Sequence, residues 1–129
     1  MESDAVSKFR DGRIIADGRS ATVESLPWNE HSTFKGVYLK HLVTGSMTGG
    51  RLSCHLIRIE AGHAIGDHVH ADKHELHEII SGRAEADVNG KPFVYEPGVV
   101  SVIPEGVRHR IVADREDVYL LAKFFPALL

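Results

Sequence analysis

From residue 36 onward the apolar runs of this chain are short, and a turn former cuts each of them. "GVYLKHLV" (36–43) stops at "TGSMTGG", and "RLSCHLIRIE" (51–60) stops at "AG". "EADV" and "KPFVY" flank Asn89-Gly90, a dipeptide suited to the type I′ turn because both of its central residues need positive φ. "VVSVI" and "VRHRIV" lie on either side of Pro104 and Gly106, and "VYLLAKFFPALL" ends the chain as an extended apolar run with an apolar tail. No stretch in this region carries a convincing helical pattern. Many short strands with closely spaced turns predict an all-β sandwich or barrel. The first 35 residues support two readings. "KFRDGRII" can form a hairpin around Asp11-Gly12, and "SDAVSKFR" can form a short helix.

A chain of 129 residues is long enough for one domain with a real core and too short for two ordinary ones. The expectation is therefore a single domain over 1–129, with a core barrel over about 36–126 and an ambiguous extension over 1–35. A formal net charge of -3 offers no electrostatic footprint for nucleic acid. No apolar run approaches the length of a membrane span, and "MESDAVSKFRDGR" lacks the apolar centre of a signal peptide. Cys54 is the only cysteine, so no internal disulfide can form. These features together point to the cytoplasm, with no nucleic acid and no membrane as partner.

Five of the nine histidines fall within "GHAIGDHVHADKHELHEIISG" (62–82). On a helix, side chains two apart diverge by about 200°. On a strand they share a face, so His68 and His70 can grip one ion only if "DHVH" is extended. A helical zinc-hydrolase site needs histidines four apart, and "HELHE" places His74 and His77 three apart, so that class is excluded. A carboxylate from "ELHEIIS" can complete a site, but Glu75 and Glu78 have opposite parity and a strand aims only one of them inward. Glu75 shares its face with His77 and Ile79; Glu78 shares its face with Leu76 and Ile80.

Two spacings in this region resemble the paired motifs of the cupin family. The first runs Gly62, His68, His70, Glu75, Gly82, and the second runs Gly98, Pro104, Gly106, His109, with fifteen residues between them. The second motif usually ends in asparagine, where this chain has Ala113. The resemblance implies a double-stranded β-helix, the jelly-roll cupin barrel. It also implies one divalent metal ion (Fe, Mn, Ni or Zn) held by His68, His70, Glu75 and His109. Three neutral imidazoles and one carboxylate would leave that ion with a net charge near +1 and open positions for water, dioxygen or substrate oxygens. The expected function is a metal-dependent enzyme on a small-molecule substrate, with an iron(II)-type dioxygenase placed first. A metal-dependent isomerase or lyase, or a non-catalytic metabolite-binding cupin, stands as the alternative.

His77 shares the face of Glu75 and is the candidate for proton handling or for a hydrogen bond to a ligand. His63 and His74 lie beside turns, where exposure is expected. His31, His41 and His55 are expected as hydrogen-bonded strand histidines. Cys54 reads as a small buried side chain. Lys40, Arg51 and Arg58 sit on expected strands, and solvation is the expectation for each. Arg108 and Arg110 flank His109 and point away from it on a regular strand. Trp28, Phe124 and Phe125 with "PALL" suit core or interface, and the apolar C-terminus leads to the expectation of a homodimer.

Overall fold

The computed structural model describes residues 4–129. A helix, α1 (Asp4–Arg10), precedes twelve strands. The strands are β1 (Arg13–Ala16), β2 (Arg19–Thr22), β3 (Asn29–Glu30), β4 (Val37–Val43), β5 (Ser53–Ile59) and β6 (Ala64–His68), followed by β7 (His74–Ser81), β8 (Ala84–Val88), β9 (Lys91–Tyr95), β10 (Val100–Ile103), β11 (His109–Ala113) and β12 (Val118–Phe125). A six-stranded sheet runs β10-β7-β12-β5-β4-β3, a four-stranded sheet runs β6-β11-β8-β9, and β1-β2 forms a separate hairpin. From β5 to β7 and from β9 to β12 the chain changes sheet at each successive strand, and the pairings are antiparallel. This is the winding of the expected jelly roll, and its cause is visible locally. β7, β11 and β12 alternate buried and more open positions, so each offers one face to a common interior.

That interior is filled from both sheets. Val37, Ile57, Ile79 and Leu120 come from the larger one; Ile65, Ala86, Tyr95 and Ile111 come from the smaller one. The turns close as their residues dictate. Asn89 and Gly90 both have positive φ and join β8 to β9. Gly82 ends β7 at φ +84, and a Cβ there would collide with the Asp117 carbonyl oxygen, so the tight approach of two loops requires glycine.

The N-terminal ambiguity resolves into a helix and a hairpin together. "DAVSKFR" is helical, while Ser3 lies outside the described residues. The hairpin turns at Asp17-Gly18, not at Asp11-Gly12. Both residues of the observed turn have positive φ, and the helix consumes the residues that the alternative hairpin required. This segment covers the outer face of the six-stranded sheet. Val23, Leu42, Cys54 and Leu56 form a second core there, joined by Phe9, Ile14, Leu26, Trp28, Ile80 and Leu121.

The cover also changes the fate of two cations. Lys40 is expected in solvent but is buried on the outer face, where Nζ donates to the Val23 carbonyl at 3.1 Å and lies 5.2 Å from the Trp28 ring. Arg58 is half-buried between Trp28 and Tyr38, at 4.9 and 4.7 Å from their ring centres. Arg51 precedes β5 and is exposed, so it lies outside the strand expected for it. The C-terminal tail folds back on its own chain. Leu128 packs on the inner core, its N–H donates to Ser53 Oγ at 2.8 Å, and Ala127 N–H donates to the Gly50 carbonyl. Phe124 is core, whereas Phe125 is exposed. Among the described residues no helix is long and apolar enough to cross a membrane.

One row across the inner face of the larger sheet is polar: Ser101, His77, Ala122, His55 and His41 stand in register. His55 is fully buried, with Nδ1 2.8 Å from His41 Nδ1 and Nε2 2.8 Å from Ser53 Oγ. Burial and the neighbouring His41 ring push its pKa down to about 4. An unfolded chain takes up this proton near 6.5, so between pH 6.5 and 4 the unfolded state holds more protons and stability is lost as the pH drops. Acidification across that window is expected to remove about 2 kcal/mol through this residue. Urea unfolding at pH 7 and pH 4 should show a smaller loss in His55→Gln than in the natural chain. Equal losses in the two proteins would show that His55 does not carry the effect.

Candidate metal centre

The first motif delivers its histidines at the end of β6. His68 is the last residue of the strand, and His70 lies just beyond it, outside the strand expected for both. Its position is set from the other motif, because Gly106 N–H donates to the His70 carbonyl at 2.8 Å. The turn at Pro104 and Gly106 therefore holds the two motifs together and starts β11 at His109. His109 stands opposite His68 in the ladder. Glu75 comes from the second position of β7 in the facing sheet, paired with Ile103 and Phe124. One donor atom from each of His68, His70, Glu75 and His109 lies within 4.8 Å of all the others. The four residues named from the sequence thus converge, and they bridge the two sheets.

The site's hydrogen bonds prepare those donor atoms. His68 Nδ1 donates to the Gly66 carbonyl at 2.7 Å, and His109 Nδ1 donates to the Val107 carbonyl at 3.0 Å. A carbonyl only accepts, so the ring proton sits on Nδ1 and leaves the Nε2 lone pair free in each neutral ring. Burial pushes His68 down to about 4 and lowers His70, which keeps both rings neutral. Burial alone would raise the Glu75 carboxyl, but the His77 and His109 rings outweigh it and hold it below the usual carboxylate range. His109 moves upward: burial opposes its protonation, and the adjoining Glu75 carboxylate and Val107 carbonyl prevail.

The donor set fits a divalent ion on a direct structural observation. Glu75 Oε1 and His109 Nε2 are buried, lie 3.0 Å apart, and neither has an aligned hydrogen-bond partner among the described residues. Their approach is electrostatic, and two buried polar atoms aimed at one point are costly unless something there binds both. An ion with borderline nitrogen and oxygen preference satisfies them. His70 Nε2 adds a further donor 3.7 Å from Glu75 Oε1.

The second oxygen of Glu75 is held from behind. His77 Nε2 lies 2.8 Å from Glu75 Oε2, and His77 Nδ1 lies 2.9 Å from the Tyr95 hydroxyl. Both ring nitrogens of His77 are engaged, and the residue is 2% exposed. Tyr95 carries no sequence signal for this contact. It lies eighteen positions from His77 on the opposite sheet, and no local pattern announces the pairing. Sequence reasoning misses Phe34 for the same reason. Its ring centre lies 5.9 Å from that of His68, and it also packs against Gly66, so the loop before β4 walls one side of the centre. Glu78 points outward to an ion pair with Lys123. His31 lies in a loop, where Nδ1 accepts from the Thr33 and Phe34 amides, and is not a strand residue. His74 is exposed, His63 is half-buried, and Arg108 and Arg110 are turned away from the cluster as exposed side chains.

Comparison with solved structures returns the same architecture. A predicted oxalate decarboxylase from Thermotoga maritima is 21% identical with a TM-score of 0.74, over 81% of this chain and 96% of that one. KdgF from Halomonas sp. is 19% identical with a TM-score of 0.71, over 80% and 90%. A sugar phosphate isomerase of the cupin superfamily from Silicibacter pomeroyi is 18% identical with a TM-score of 0.69, over 80% and 73%. At these identities the likeness is one of fold. No curated protein matches the chain. The family description "Cupin domain" matches residues 55–122, which include all four converging side chains and both motifs. With the jelly roll and the His/Glu cluster in place, the chain belongs to the cupin family.

Proposed function

We propose that this cupin is a metal-dependent enzyme acting on an oxygen-rich small molecule, with iron(II)-dependent dioxygen chemistry as its reaction class. The observation that carries the reading is the convergence of three imidazoles and one carboxylate, all within 4.8 Å, with His68 and His70 half-buried rather than sealed. His68, His70, Glu75 and His109 would hold one divalent ion. When bound, that ion supplies Lewis acidity and, as iron(II), redox capacity toward dioxygen. The donors leave a net charge near +1, which suits an enol, diol or carboxylate oxygen in the substrate.

His77 is assigned a positioning role in place of proton handling. With both nitrogens engaged and its surface covered, it holds Glu75 Oε2 and leaves Oε1 for the ion. An isomerisation or elimination needs an accessible base near the substrate, and His77 cannot serve as one in this arrangement. That supports the oxidative reading over an isomerase or lyase. The structural neighbours named for oxalate and for sugar phosphate support the choice of a small, oxygen-rich substrate.

The iron(II)-loaded protein is expected to consume dioxygen when given an enol or vicinal diol, and the zinc-loaded protein is not. An oxygen electrode reads this directly. Equal turnover in both forms without oxygen uptake would shift the assignment to a metal-assisted isomerase or lyase. Binding without turnover across the panel would make this a metabolite-binding cupin.

A further inference from the structure

One cavity among the described residues lies away from the metal centre. It has a volume of about 710 Å³ and lies between the β1-β2 hairpin and the end of β4. Ile14, Leu26, Leu42 and Met47 make its walls apolar, and Asp17 and Arg19 place one charge of each sign on exposed positions of the hairpin. Ser20, Thr44 and Ser46 add hydroxyls to a lining that is apolar over most of its area, and a cavity of this size is in the range of small-molecule sites. Its distinctive wall is His41, the outer end of the buried polar row described above.

The hydrogen bonds of that row determine which proton His41 shows. Leu128 N–H donates to Ser53 Oγ, so this hydroxyl is already an acceptor. The hydroxyl keeps a second lone pair, but Ser53 is fully buried and its own proton needs an acceptor, which His55 Nε2 provides at 2.8 Å. A neutral His55 that accepts on Nε2 carries its proton on Nδ1 and donates it to His41 Nδ1 at 2.8 Å. Burial disfavours the charged form of both rings. A neutral His41 that accepts on Nδ1 carries its proton on Nε2. The chain that begins at a backbone amide near the C-terminus therefore ends in an N–H donor on the ring that lines the cavity.

We propose that this cavity is a second binding site, and that it takes a small, mostly apolar molecule bearing a neutral carbonyl, with the carbonyl oxygen on His41 Nε2–H. A carboxylate fits less well, since one neutral donor does not compensate the burial of a full charge. An ammonium group would meet a donor with a donor at His41, and Asp17 and Arg19 are exposed on the hairpin, where water screens their charges. The site is separate from the metal centre. Phe124 stands between them, with its ring centre 5.6 Å from His55 and 5.0 Å from His70.

The test uses 2-hexanone and hexylammonium as probes on the full chain, followed by NMR of the Met47 methyl and the His41 ring. Nitrogen-15 shifts should show His41 protonated on Nε2, and 2-hexanone should shift the Met47 signal with saturable binding. Hexylammonium should bind at least about tenfold more weakly, the cost of losing one partly buried hydrogen bond. His41→Phe should weaken 2-hexanone binding by about the same factor. Ala21→Trp fills the cavity from an exposed strand position without touching the histidines, and should abolish the shifts. Glu75→Gln should leave them unchanged, which keeps this site distinct from the proposed metal function. A proton on His41 Nδ1, equal binding of the amine, or 2-hexanone shifts that survive Ala21→Trp would each overturn the proposal.

Discussion

Replacing Glu75 with glutamine is expected to weaken divalent-metal binding by about 100-fold or more, while Glu78→Gln leaves it within about twofold of the natural protein. The first substitution keeps the size of the side chain and removes its charge. Three imidazoles and a weak amide oxygen would then face the ion. The amide also disturbs the contact behind it: His77 Nε2 lies 2.8 Å from Glu75 Oε2, so an amide nitrogen placed there would set a donor against a ring whose other nitrogen is already tied to Tyr95. Loss of an outer hydrogen bond of this kind alone costs about 10–100-fold in affinity, and loss of the direct ligand charge adds to it. Glu78 faces outward to Lys123 and is half-buried, so removing its charge costs at most a partly exposed ion pair. Competition titration with a chromophoric chelator measures both. Equal affinities in the two variants would remove Glu75 from the ligand set.

Deleting residues 1–28 is expected to destabilise the protein by more than His55→Gln or either glutamate substitution, and to leave the remaining chain aggregation-prone. The segment carries Val6 and Val23, both nearly fully buried, and Phe9, Ile14, Leu26 and Trp28 pack in the cluster of Val23. Burial of the two valines alone is worth about 3 kcal/mol or more. The loss also bares Leu42, Leu56, Ile80 and Leu121 on the outer face of the larger sheet and strips Lys40 of the Val23 carbonyl that it meets. A contiguous apolar face of that kind drives association. Thermal melts and light scattering read both consequences. A truncated protein that stays monodisperse with an unchanged melting temperature would show that the segment is a dispensable appendage.

Much of this architecture is readable along the chain because its causes are local. Alternation of side chains is a property of extended backbone, so the parity that separates Glu75 from Glu78 holds once β7 is a strand. Asn89-Gly90 turns where its φ preferences allow it. The glycines, proline and histidines of the two motifs lie at fixed spacings on short connections, and His68, His70, Glu75 and His109 converge as the resemblance to the cupin motifs implies. Lys40 shows where such reading stops. Its position on β4 is local information, but whether the face it occupies is wet depends on the segment lying over it, and Val23 is seventeen residues away. The same holds for Asp11-Gly12 and Asp17-Gly18. Both can turn, and the choice between them follows from which residues α1 consumes when it packs on the sheet.

Sequence by itself determined the strands beyond residue 36, the main turns and the parity that separates Glu75 from Glu78, since each rests on backbone periodicity or short spacing, and the resemblance to the cupin motifs named the four side chains that converge. Tertiary structure alone decided which ring nitrogens carry protons, because those are set by the Gly66 and Val107 carbonyls at one site and by Leu128 and Ser53 at the other. It also decided that Tyr95 reaches His77 across the barrel and that residues 4–28 cover the outer sheet. Hydrogen-bond partners and burial are properties of the space between elements, and that space exists only after the sheets have closed on one another.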